Sequence, residues 1–157
     1  MYLWNIDQLK EDLVETGLSQ SELFKYIFVY VVLSSIVIEL VYAYPAESLN
    51  SLDHMQSIFS LLLTGIGTYL CFRANGGAAG KNFAERFFSI GLVIVIRFLA
   101  LFVPLLILLA IVFWSGEDPD DYSTKWYDVV VVSIWSLAMY WRFIVHINQV
   151  ARRAAGQ

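Results

Sequence analysis

The 157-residue chain carries a net charge of −4, one cysteine, 59% hydrophobic and only 15% charged residues, a balance well outside that of soluble globular domains. A lone cysteine excludes an intrachain disulfide, and a net negative charge gives no sign of a nucleic-acid partner. Length allows a single domain, 1–157, and the apolar excess lies in four long runs.

The leader, residues 1–20, comes first. Leu3, Ile6, Leu9 and Leu13 recur at helical spacing, while Asp7, Glu11, Asp12 and Glu15 oppose Lys10 on the other face. The spacing predicts a short amphipathic helix. Interfacial helices usually present a basic polar face to anionic lipid; this acidic one either docks on a basic protein surface or a partner protein, or lies at the interface with its acids solvated. The candidate docking surface is basic: Lys81, Arg86, Arg152 and Arg153. The leader is acidic and the apolar run begins only near Phe24, so no cleavable signal peptide is expected.

A spanning helix needs about 20 mainly apolar residues. The first run, about 24–44, follows a Ser19/Glu22 capping box and stops at Pro45. The second is about 55–72. It carries Ser60, Thr64 and Thr68 at intervals of four, with Gly65 and Gly67 alongside, a small-residue face suited to close helix packing or, alternatively, to lining a pore. The segment Arg73–Asn82, RANGGAAGKN, lacks the first glycine and the Ser/Thr of a phosphate-binding loop. It reads as a turn, with Gly76 or Gly77 capping one helix and Asn82/Glu85 starting the next.

The third run, about 87–114, is longer than a bilayer requires and contains Arg97 and Pro104. The acidic segment after it, GEDPDDYSTKWYD, does not fit an EF-hand. The fourth run is about 126–147, followed by a basic tail, 148–157. Lys and Arg concentrate in the second connection and the tail, which places both termini in the cytoplasm; a bacterial inner membrane is the expected location. Short connections favour antiparallel sequence neighbours, so the expected fold is all-α: a four-transmembrane-helix up-down bundle behind a short N-terminal amphipathic cytoplasmic helix.

Ionisable residues inside spans are functional candidates. Here they are Glu39, Arg97, Arg142 and His146. Measured down from Tyr44, Trp114 and Trp126, the two arginines fall level near the cytoplasmic boundary and far from Glu39. Measured up from the inner ends, Arg97 comes within reach of Glu39. Arg97 therefore either snorkels to a phosphate or acidic side chain, pairs with Glu39, or lines a watery path. Four spans with a glutamate in the first is an outline similar to that of small multidrug exporters; the likeness is architectural and carries no residue over.

No hydrolase or metalloprotease motif is present, and no metal, cofactor or enzymatic activity is expected. The chain reads as a non-catalytic membrane protein, an accessory subunit or self-associating bundle. The alternative is a small oligomeric channel or proton- or ion-coupled transporter using Glu39 and Arg97. The bilayer itself, anionic inner-leaflet lipid, and a second copy or another membrane protein are the expected partners.

Overall fold

The computed structural model describes residues 1–42, 50–109, 111–112 and 123–156, and all regular structure among them is helical. The helices are α1 (Ile6–Glu15), α2 (Gln20–Tyr42), α3 (Ser51–Ala74), α4 (Phe83–Leu109) and α5 (Trp126–Ala155), with a 3-10 turn at Gly77–Ala79. Tyr44, Pro45, Trp114 and the acidic stretch 116–122 lie outside the described residues.

Local chemistry explains the ends. The Ser19 N–H and hydroxyl meet the Glu22 carboxylate at 3.1 and 2.9 Å, while the Glu22 N–H donates to Ser19 Oγ. Two orphan donors at the start of α2 are thereby satisfied. Asn50 caps α3, accepting from Leu52 and Asp53, and its own N–H donates to the Asp53 carboxylate. Gly76, at φ +102°, supplies the left-handed residue that ends α3. Asn82 and Glu85 do not form the expected box: Glu85 accepts instead from the backbone N–H of Leu18.

Among the described residues, three helices are long and apolar enough to cross a membrane: Ser51–Ala74, Phe83–Leu105 and Trp126–Ala155. The expected count of four is thus met by three on length and apolarity; α2 carries the remaining run in a 23-residue helix.

The packing order departs from expectation. Contacts run from α3 to α5, from α5 to α4 and from α4 to α2, with α1 against α4 and α5. α3 and α5 are parallel. The Asn50 amide donates to the Thr124 carbonyl at 3.0 Å, and the Thr124 hydroxyl donates to Asp53, joining the two helix starts. α4 runs antiparallel to α5: Phe87 meets Phe143 and Phe98 meets Trp135. Short connections made α3 and α4 the natural partners, yet glycine seams decide otherwise. A Cβ on Gly67 would stand 2.4 Å from Tyr140 Cδ1, and one on Gly91 2.6 Å from Phe143 Cε1. Two rings of α5 lie directly on bare backbone of its neighbours, which makes α5 the central helix.

The small-residue stripe is only partly that seam. Gly67 is buried, Ser60 and Thr68 are half-buried, and Thr64 is exposed. The described core gathers at the end holding α1: Leu9, Leu13, Tyr26, Cys71, Ile90, Val93, Ile147 and Val150 are all buried there. Towards the other end the surface is apolar, with Leu61, Leu62, Leu101, Ile107 and Ile134 exposed.

Gly67→Ala should lower the stability of the detergent-solubilised protein by about 1–3 kcal/mol, since the ring root at Tyr140 has nowhere to swing. Gly65 has nothing within 4 Å of a built Cβ, so Gly65→Ala should be neutral or slightly stabilising. Reversible unfolding of the two variants, compared with wild type, checks the seam; equal stabilities would refute it.

A candidate site where the leader meets the helices

Side-chain contacts fix the heights of the ionisable residues. Phe98 meets Trp135 with centroids 5.0 Å apart, and Tyr140, five residues further along α5, covers Gly67. Following that offset, the Arg97 level of α4 meets α3 near Leu62 and Leu63. The exposed apolar side chains of α3 run from Met55 to Leu70, so this is the middle of its apolar stretch. On α2, Tyr30 meets Phe88 edge-on at 5.5 Å, and Glu39 and Arg97 each lie nine residues beyond that contact. Their backbones are therefore level on straight helices.

The reading taken from the inner ends describes the register, and the one taken from the aromatic belt does not. Trp126 comes level with Ile107 of α4, nine residues from Phe98 as Trp126 is from Trp135. α4 continues past that height to Leu109, and the other two belt residues, Tyr44 and Trp114, lie outside the described residues. Arg142 adjoins the Phe143–Gly91 contact, six residues or about 9 Å nearer the leader end than Arg97. The two arginines are not level.

Level backbones do not make an ion pair. Side chains of a helix lean toward its N-terminus, which for α4 is the leader end. Arg97 follows that lean. Its Nη2 donates to the backbone carbonyl of Trp4, and its guanidinium carbon stands 5.6 Å from the Trp4 ring centroid. A hydrogen bond from a charged donor contributes about 1.5–3 kcal/mol and a cation–π contact about 0.5–2. Arg97 Nε is buried without a partner. Glu39 is exposed on α2 and is in no ion pair among the described residues.

α1 is held by its apolar face and by several polar ties. Ile6, Leu9 and Leu13 are buried; taken from water, each contributes about 1.5–3 kcal/mol. The Tyr26 hydroxyl accepts from the Tyr2 N–H at 2.7 Å and donates to the Tyr2 carbonyl at 3.2 Å. The Glu85 carboxylate receives the Leu18 N–H at the other end of the leader. Between them Lys10, only 4% exposed, donates to Gln149 Oε1 at 3.1 Å and pairs with Asp7 at 2.7 Å. Asp7 is held below the usual carboxylate range, first by that Lys10 hydrogen bond and then by its charge.

His146 is buried with its Nδ1 unpartnered, and Arg142 is exposed. The basic surface divides in two. Arg152 and Arg153 border a cleft with Glu11 and Glu15 of the leader. Arg86 and Lys81 lie with Arg73 and Arg152 in a separate groove. Arg86 is buried and donates to Asn75 Oδ1 at 2.9 Å.

The sequence presents Lys10 as a charge on the polar face of the leader and Glu85 as a helix-start residue, and it gives Trp4 and Asn75 no site role; in the structure all four make contacts of the site. Lys10 lies on the same helical face as Leu3, Ile6 and Leu13 and is buried with it; its charge suggested the polar face, but a long stem lets the ammonium reach α5 while its carbons are covered. Trp4 acts through a carbonyl, for which no residue type is a signal.

No protein-family model matches the chain, and no match was found among curated proteins or among solved structures. Among the described residues, no group of three or more His, Cys, Asp or Glu is placed to hold a metal ion.

Arg97→Gln should loosen the front of the leader. Amide exchange of residues 6–13, read by mass spectrometry in detergent, is expected to rise about tenfold or more for a loss of about 1.5–3 kcal/mol. Unchanged exchange would show that the Trp4 contact holds nothing. The pH dependence has a definite sign. Asp7 is depressed on folding, so its contribution is present above the ordinary carboxylate pKa and lost as pH falls through its lower folded value. Leader protection, corrected for intrinsic exchange, should therefore be flat from pH 7 to about 5 and fall only below about 4. Asp7→Asn should remove part of that fall.

Proposed function

We propose that the chain is a non-catalytic polytopic membrane protein that works by association, as an accessory subunit or a self-associating bundle. In this reading α2 is the fourth span, and the leader, the α3–α4 turn and the C-terminal tail share the cytoplasmic face of a bacterial inner membrane. Charge placement supports the orientation. Arg73, Lys81, Arg86, Arg152 and Arg153 gather at the leader end, where the positive-inside rule puts them.

The observation that carries the reading is Glu39. It is exposed on a helix at the edge of the layer, level with the middle of the α3 apolar stretch. Carboxylates at such depth face a protein interior or water, because lipid satisfies neither their charge nor their hydrogen bonds. Among the described residues Glu39 is exposed and in no ion pair. A neighbouring helix, from a second copy or another subunit, would give it a protein interior. The exposed apolar residues Val31, Val32 and Ile36 on the preceding turns of α2 would be covered by the same contact.

A channel or transporter would use Glu39 differently, as a titrating group on a path shared with Arg97. Arg97 is committed to Trp4, which favours association.

Glu39→Gln separates the two. Association predicts a weaker complex: the monomer fraction in bilayers, measured by single-molecule photobleaching over a dilution series, should correspond to a dissociation constant about tenfold higher, about 1.4 kcal/mol. Proton and cation flux into liposomes should stay at background for both proteins. Flux above background that Glu39→Gln abolishes, with association unchanged, would replace this reading with the transporter.

A further inference from the structure

The α3–α4 turn and the C-terminal turns of α5 enclose a groove of about 800 Å³. Among the described residues, four cations line it, Arg73, Lys81, Arg86 and Arg152, and no Asp or Glu does. We propose that this groove binds a phosphate group, supplied by the headgroup of an anionic phospholipid.

The groove is built rather than incidental. Asn75, itself buried, accepts from Arg86 Nη1 at 2.9 Å and donates to the Lys81 carbonyl at 3.1 Å, tying both ends of the turn to one side chain. Gly80 permits this closure: a Cβ there would stand 2.2 Å from the Asn75 carbonyl oxygen. Arg86 is 6% exposed, and its Nε has no hydrogen-bond partner. A buried charged donor left unmade asks for an acceptor. The adjacent carboxylate, Glu85, is already engaged by the leader. Arg73 and Arg152 reach only the neutral oxygens of Tyr69 and Asn148, at 3.4 and 3.1 Å, each one helical turn back.

Planar guanidinium groups match phosphate oxygens in pairs, and a lysine adds a point charge. A lipid is the fitting source because the groove lies at the base of α3, whose Leu70 and Ile66 are exposed one and two turns above Arg73. A headgroup held at Arg73 would lay its acyl chains along that apolar surface. The basic residues thus do more than set orientation: they form a pocket with a turn folded around it.

The full chain in nanodiscs tests the idea. Replacing about a quarter of the phosphatidylcholine with phosphatidylglycerol, an anionic lipid, should raise the thermal midpoint of wild type. Adding short-chain phosphatidylglycerol to protein in neutral detergent should give saturable binding. Lys81→Gln combined with Arg152→Gln should weaken that binding at least tenfold, whereas Lys25→Gln, at the exposed start of α2, should leave it unchanged. Both groove substitutions are at exposed positions, so folding is retained, and circular dichroism confirms it in each variant. Inorganic phosphate that binds equally tightly in neutral detergent, and is weakened by the same double substitution, assigns the groove to free phosphate and overturns the lipid source. Binding that does not saturate, or that the double substitution leaves intact, overturns the site.

Discussion

A permanent cation in the middle of an apolar helix constrains everything around it. Arginine cannot discard its proton, so Arg97 must find acceptors without water. The chain answers from its own N-terminus. The guanidinium leans toward the start of α4, takes the Trp4 carbonyl and lies over the Trp4 ring. That contact sets where the leader begins. The Tyr2–Tyr26, Lys10–Gln149 and Glu85–Leu18 contacts then fix its course across α4 and α5. A short helix of ten residues would scarcely persist alone in water. Docked, it buries three aliphatic side chains and becomes part of the core.

The second constraint is close packing without a hydrophobic driving force between spans. Lipid is as apolar as leucine, so helices associate where their surfaces fit. α5 presents two rings, Tyr140 and Phe143, and the neighbours present glycines to receive them. Parallel α3 and α5 are joined at one end by Asn50, Asp53 and Thr124 and in the middle by Gly67 under Tyr140. Chain connectivity contributes less than this fit, which is why α3 does not take α4, its sequence neighbour, as its main partner.

Helix content and element positions were legible in the sequence because hydrophobic period and capping residues act locally. Ser19/Glu22 and Gly76 mark their boundaries as read. Adjacency and register were not legible. They depend on which glycine meets which ring, and Gly65 and Gly67 differ in sequence only by two positions while one faces open space and the other Tyr140. The height of Arg97 depended on choosing a reference. Aromatic belts fail as a reference when one apolar run overshoots its neighbours, as the third does beyond the level of Trp126. The candidate residues were found by type, since a charge in an apolar run is conspicuous; their partners were missed because a backbone carbonyl and a turn-closing asparagine leave no such mark.

The contrast between Arg97 and Glu39 carries the remaining step. Both charges stand at one height on adjacent helices, and pairing them would have needed only the right faces. Arg97 turns to the leader, and Glu39 is exposed on the outer helix of the layer. If the two existed to neutralise each other, the leader contact would be superfluous. Glu39 is then the one charge in the middle of the apolar band that its own chain leaves exposed and outside any ion pair among the described residues. A group so costly to leave in lipid is most simply understood as one half of a contact whose other half belongs to another molecule.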